Sequence, residues 1–167
     1  MPLEAERMKT PRVLFVCTFH GARSRIAEEF VLRLAPGRIE AYSSSFESGR
    51  IGALPIEVMK EVGIDLPRET PKSVYDRYRD KEVFDYVVTL CHAASRELCP
   101  TFLNHVNVLY AKKAERLFWS VPDFASISGT DESRRVEARK IRDQIKAQVV
   151  DFLAHIGIDT GLAQTRK

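Results

Sequence analysis

Cysteine is scarce in this chain, with three among 167 residues. So small and odd a number excludes a structural disulfide framework of the kind that staples small secreted domains. Long apolar runs are also missing: the longest is Val13 to Cys17, far short of the roughly 20 residues that cross a bilayer. No membrane segment is expected. Neither sign of charge dominates, since 26 Lys and Arg stand against 23 Asp and Glu for a net charge of +3. That balance argues against nucleic acid as the main partner, which usually shows as a basic stripe, and leaves a small anion compatible. The first ten residues, Met1 to Thr10, are charged and lack the apolar stretch of a secretory signal, which predicts a cytoplasmic protein. No His/Cys cluster has metal-ligand spacing, so neither a metal nor a bound organic cofactor is expected.

What is present is ordinary globular material. A chain of 167 residues is about one domain's worth, and folding buries roughly 70% of the surface its unfolded form exposes. Hydrophobic residues at 44% and charged residues at 29% exclude a largely disordered, collagen-like or coiled-coil chain.

The pattern alternates strands with helices. Arg12 to Cys17 is a β-branched and aromatic run, followed by a short segment with Gly21 and then a helical stretch in which Ile26, Ala27, Phe30, Val31 and Leu34 share a face. Pro36-Gly37 ends it. Ile39 to Ser43 reads as a weaker strand and Leu54 to Val62 as a helix closed by Gly63. Pro67 to Tyr78 reads as a connection with room for a short helix. Phe84 to Leu90 is the clearest buried strand, and Val106 to Tyr110 a further one. Asp131 to Ile156 is the longest helix, its face formed by Val136, Ile141, Ile145, Val149, Phe152 and Ile156, with Asp131 and Glu132 in its first turn and Gly157 beyond its end. These elements predict a single doubly wound α/β domain with a four-stranded parallel sheet flanked by helices, spanning 12–157, with loose termini at 1–11 and 158–167. A monomer is expected.

Cys17-Thr18-Phe19-His20-Gly21-Ala22-Arg23-Ser24 puts a cysteine at the end of a buried strand and an arginine where a helix begins. Open α/β sheets place ligands at that edge. Loop N–H groups from Thr18 to Ser24 can turn inward as a nest, the helix N-terminus adds partial positive charge, and Arg23 can grip two oxygens of a phosphate-like oxyanion at once. The same field predicts a Cys17 thiol lowered to somewhere around 3.5–7.5. A buried structural cysteine beside a surface arginine is the alternative.

Cys91 ends the strand at Leu90, so a parallel sheet brings it to the same edge as Cys17. Cys99 lies beyond Ala93 to Leu98, one or two helical turns. A disulfide needs Cα atoms roughly 4.4–6.8 Å apart, so those turns must open before the two sulfurs meet. Further on, Asp123 follows Trp119-Ser-Val-Pro, which by itself reads as an exposed loop aspartate.

These residues resemble the low-molecular-weight protein tyrosine phosphatase superfamily, which includes the arsenate reductases coupled to thioredoxin. Cys17-x5-Arg23-Ser24 between strand and helix carries the resemblance, and it continues through Ile26-Ala-Glu28, Asp85 to Cys91 and the last helix. It implies Cys17 as nucleophile, Arg23 and the loop amides as oxyanion grip, Ser24 as hydrogen-bond partner of the thiolate, and Asp123 as general acid. In the resembled reductases a second cysteine displaces arsenite and a third carries the disulfide outward, roles matched by Cys91 and Cys99. The implied partners are arsenate or a phosphate-like oxyanion and thioredoxin or another thiol reductant.

Two positions depart from the family pattern. His20 stands where an asparagine is expected, followed by Gly21, which can supply a positive φ instead; His20 is either a loop-stabilising, anion-contacting group or an exposed structural histidine. Phe124 replaces the proline that normally follows the acid, and Phe124-Ala-Ser-Ile lacks the tyrosines that line an aromatic-ester slot in the phosphatases. Thr18 also looks like the reductase version of the loop. Arsenate reduction is the leading expectation; the alternatives are a phosphatase working through a phosphocysteine, and a non-catalytic oxyanion-binding regulatory module.

Overall fold

The computed structural model describes residues 9–17, 22–46, 49–69, 71–92 and 114–161. Four parallel strands form one sheet: β1 (Arg12–Cys17), β2 (Glu40–Ser45), β3 (Tyr86–Cys91) and β4 (Glu115–Ser120), in the order β2-β1-β3-β4. The helices are α1 (Ala22–Leu34), α2 (Ala53–Lys60), α3 (Val74–Arg79) and α4 (Asp131–His155), with one 3-10 turn at Phe124–Ser126. The chain is therefore α/β with an all-parallel sheet. No helix among the described residues is long and apolar enough to cross a membrane.

β1 is central because Val13 to Cys17 are apolar without a break and fully buried, as a strand covered on both faces requires. Val13, Phe15 and Cys17 face the larger apolar cluster with Ile26, Phe30, Val58, Ile145 and Leu153. That side is covered by α1, α2 and α4. Leu14 and Val16 face a smaller cluster with Val74 of α3, Phe84 and Val87. Phe15, Trp119 and Phe152 meet with ring centroids 5.6–6.4 Å apart, an aromatic floor on the side of the sheet to which Cys17 points.

The long helix starts where its cap dictates, the Thr130 hydroxyl accepting the Ser133 N–H at 3.1 Å. Gly157 follows with φ +89°. Its apolar face matches the sequence pattern except at Val136, which is 39% exposed one turn into the helix. Arg142 lies instead among the buried residues, donating to the Val58 carbonyl at 2.8 Å and to Glu61 at 3.0 Å.

One strand was not legible in advance. Glu115–Ser120 forms β4, although the sequence reading treats Trp119 and Ser120 as the approach to a loop. Its charged start and alternating exposure suit an edge position rather than a buried run. The strand expected at Val106 to Tyr110 and the helical turns at Ala93 to Leu98 lie outside the described residues, as do most of the termini. Ile158 packs against the larger cluster, and Arg38 donates to the Asp159 carbonyl at 3.0 Å.

The Thr89 hydroxyl on β3 is buried without a hydrogen-bond partner among the described residues. An unsatisfied buried hydroxyl costs about 1–3 kcal/mol. Thr89→Val keeps the shape and removes that cost, so urea denaturation is expected to show the variant as stable as the parent or more so. A clear loss of stability would mean that the hydroxyl is satisfied after all.

Candidate active site

The parallel register lines up the C-terminal ends of the strands. Cys17 pairs with Ser45 of β2 and Leu90 of β3, and Cys91 pairs with Ser120 of β4. Cys17 and Cys91 therefore finish neighbouring strands on one edge of the sheet. Side chains alternate along a strand, so Cys91, next after Leu90, leaves the sheet on the face opposite Cys17. Cys91 is disulfide-bonded and Cys17 is not. Cys99 lies outside the described residues, as do Thr18, Phe19, His20 and Gly21.

Ala22 opens α1, so Arg23 and Ser24 fall in its first turn, which holds no acidic residue. The N-terminal dipole there points its positive end at the Cys17 side of the sheet edge without a carboxylate of the helix to offset it. Arg23 and Ser24 are 1% and 0% exposed. The Cys17 thiol donates to Ser24 Oγ at 3.2 Å, and the Ser24 hydroxyl donates to the Ser44 carbonyl at 3.2 Å. Arg23 reaches the other way: Nη1 donates to the Val121 carbonyl at 2.9 Å, and Nη2 lies 3.9 Å from Asp123 Oδ2. One buried guanidinium thus joins the start of α1 to the segment after β4.

Asp123 caps the 3-10 turn, its Oδ1 accepting the Ala125 N–H at 3.3 Å, while Ser126 donates its hydroxyl to the Asp123 carbonyl at 2.6 Å. The fold therefore brings Cys17, Arg23, Ser24 and Asp123 together from three separate stretches of chain. The Ser44 and Val121 carbonyls complete the arrangement. Neither announces itself in the sequence, because backbone acceptors carry no residue-type signal. The serines that end β2 make side-chain contacts beside it: Ser43 donates to Glu28 at 2.6 Å and Ser44 Oγ accepts from Arg77 at 2.7 Å.

The expected lowering of the Cys17 thiol is corrected by the structure. Complete burial pushes the thiol up, and this outweighs the Arg23 charge and the side-chain and backbone hydrogen bonds shared with Ser24, which act downward; Asp123 adds a lesser upward push. Residue types record the field of the site but not how deeply the sulfur sits. Chemically, the arrangement sets a sulfur beside a fixed positive charge, with a carboxylate beyond that charge, a layout able to hold an oxyanion between nucleophile and acid. Among the described residues no group of three or more His, Cys, Asp and Glu is placed to hold a metal ion.

Comparison with known proteins agrees with this architecture. The low molecular weight phosphotyrosine protein phosphatase family matches residues 12–161, and the chain belongs to that family. It is 30% identical to an arsenate reductase from Halalkalibacterium halodurans over 141 residues, covering 84% of this chain and 93% of that one. A solved arsenate reductase in oxidized state superposes with a TM-score of 0.66 at 27% identity, covering 87% of this chain and 98% of the other. An arsenate reductase in the phosphate binding state gives a TM-score of 0.62 at 28% identity, covering 88% and 99%.

Because both Ser24 hydrogen bonds favour the thiolate, Ser24→Ala, which removes the side-chain one, is expected to move Cys17 ionisation to higher pH. Thiolate ultraviolet absorbance against pH checks this in a background with Cys91 and Cys99 both replaced by serine. An unchanged midpoint would contradict this, and a lower one would show that the Ser24 hydroxyl favours the thiol instead.

Proposed function

We propose that this chain reduces arsenate to arsenite by a three-cysteine relay. The observation that carries the reading is the convergence of Cys17, Arg23 and Asp123 at the sheet edge where Cys91 also ends. Arg23 and the amides of residues 18–24 hold the oxyanion. The Cys17 thiolate attacks arsenic, and an arsenate oxygen leaves as water with a proton from Asp123. The Cys91 thiolate then attacks the Cys17 sulfur. The sulfur–arsenic electron pair departs with arsenic, which leaves as arsenite, and a Cys17–Cys91 disulfide forms. Cys99 attacks Cys91 in turn, freeing Cys17, and a dithiol reductant of the thioredoxin class returns the pair to thiols.

One further point supports this reading. The segment after Asp123 is Phe124-Ala-Ser-Ile rather than a tyrosine-bearing slot for an aromatic ester. The phosphatase reading keeps one specific support, the family match itself, and needs only Cys17, Arg23 and Asp123. Binding without turnover is the reading left if neither substrate reacts.

Arsenate reduction is assayed with thioredoxin, its reductase and NADPH, beside hydrolysis of an aryl phosphate. Cys17→Ser is expected to abolish turnover while phosphate still binds. Arg23→Lys should weaken binding as well, because an ammonium cannot make the planar two-point contact. Substantial reduction by Cys17→Ser would remove Cys17 as the nucleophile.

Cys99→Ser separates the relay from a phosphatase. It is expected to release arsenite once per molecule and then stop, with Cys17 joined to Cys91 by peptide mass mapping. Many turnovers with thioredoxin as the only reductant would sink the three-cysteine scheme even if Cys17 proved essential.

A further inference from the structure

Asp123 sits on a turn whose local hydrogen bonds fix its internal shape but not its place in the fold. Oδ1 accepts from Ala125 N–H, and the Asp123 carbonyl accepts from the Ser126 hydroxyl and N–H at 2.6 and 3.1 Å. All of these partners move with the turn. What ties the turn to the sheet lies on either side of the aspartate. Upstream, Val121 is fully buried, its N–H donating to the Cys91 carbonyl at 3.1 Å and its carbonyl accepting from Arg23 at 2.9 Å. Downstream, the first residue of the 3-10 turn is Phe124, only 6% exposed and part of the larger apolar cluster with Val121, Trp119 and Ile26.

Burial of a phenylalanine at this point needs a reason, because a turn beside a polar site is ordinarily solvated. The Asp123 side chain, 18% exposed, hangs between the two buried residues and faces Arg23 at 3.9 Å. A proline after the acid would set the turn through its fixed φ. Phe124 lacks that constraint, and its buried ring supplies a tertiary one in its place.

We propose that Phe124 is a positioning residue, whose buried ring holds the Asp123 carboxylate over the Arg23 end of the oxyanion site. The proposal rests on the reading of Asp123 as the acid. Anchoring by packing has a consequence that anchoring by a proline does not: the aim of the acid depends on the volume of the side chain at 124. Truncation leaves the local turn bonds intact and loosens only the placement of the turn. Proton transfer is sensitive to such drift, since a displacement near 1 Å can slow a chemical step by about 100-fold.

The test measures arsenite release in the first turnover together with inorganic phosphate as a competitive probe of the oxyanion site. Phe124→Ala is expected to slow the first turnover by about 10–100-fold while leaving the inhibition constant for phosphate unchanged. Phe124→Leu should recover most of the rate. In an Asp123→Asn background, Phe124→Ala should add no further loss, because the group it aims is already disabled. A fully active Phe124→Ala would overturn the proposal, as would a loss that multiplies with that of Asp123→Asn, or a parallel loss of phosphate binding. If Phe124→Ala fails to fold, Phe124→Leu carries the same comparison, with a smaller slowing that vanishes in the Asp123→Asn background. If Asp123→Asn alone keeps the parental rate, the acid reading falls and this proposal with it. A slow Asp123→Asn beside a fully active Phe124→Ala removes the anchor alone.

Discussion

A positive charge that cannot be shed is buried at the C-terminal edge of the sheet, and the rest of the site is arranged around it. Arg23 is 1% exposed, and a guanidinium stays protonated at any pH the fold survives. Burying such a group is tolerable only where acceptors and counter-charge meet it. The Val121 carbonyl and the Asp123 carboxylate do so from the segment after β4. Satisfying the arginine therefore ties the segment that carries Asp123 to the start of α1. The same charge opposes the burial that pushes the Cys17 thiol up, so the Cys17 sulfur and the Asp123 carboxylate both respond to one side chain.

The sheet topology explains why these groups meet. A parallel sheet delivers every strand end to one edge, and the order β2-β1-β3-β4 puts the Cys17 strand between those carrying Ser44 and Cys91. Cys91 is one residue past the register partner of Cys17, which sets their Cα atoms roughly 5.8 Å apart from strand spacing and rise. That separation suits a disulfide. Their side chains start on opposite faces, however, so the proposed Cys17–Cys91 exchange requires the end of β3 to turn. The hydrogen bond from Val121 N–H to the Cys91 carbonyl lies on that path, and the Val121 carbonyl is the one Arg23 holds. The proposed redox step and the proposed oxyanion grip thus meet at one residue, Val121.

Much of this was legible in the residues, for identifiable reasons. β1 and β3 are near-continuous apolar runs, and α1 and α4 carry clear faces with ordinary ends, so pattern and tertiary demand coincide. β4 was missed because Glu115-Arg-Leu-Phe-Trp-Ser is a half-exposed edge strand that opens with two charges. Spacing alone puts Val136 in the core, yet it stands exposed near the start of α4, and Arg142 takes a buried place further along because Val58 and Glu61 meet it. At the site, residue types pointed to Cys17, Arg23, Ser24 and Asp123. The Ser44 and Val121 carbonyls and the upward shift of Cys17 depend on backbone placement and depth, which no side-chain pattern records. Phe124 was visible only as a departure from a family pattern; its burial is what gives it meaning.

The central claim is that the chain's own thiols supply the two electrons that convert arsenate to arsenite. The direct measurement is the stoichiometry of arsenite release when fully reduced protein meets excess arsenate with no external reductant, followed by titration of the remaining thiols. The account requires one arsenite per chain, the loss of two thiols per arsenite formed, and suppression of both by competing phosphate. Arsenite formed without thiol loss, or thiols lost at the same rate without arsenate, would contradict it.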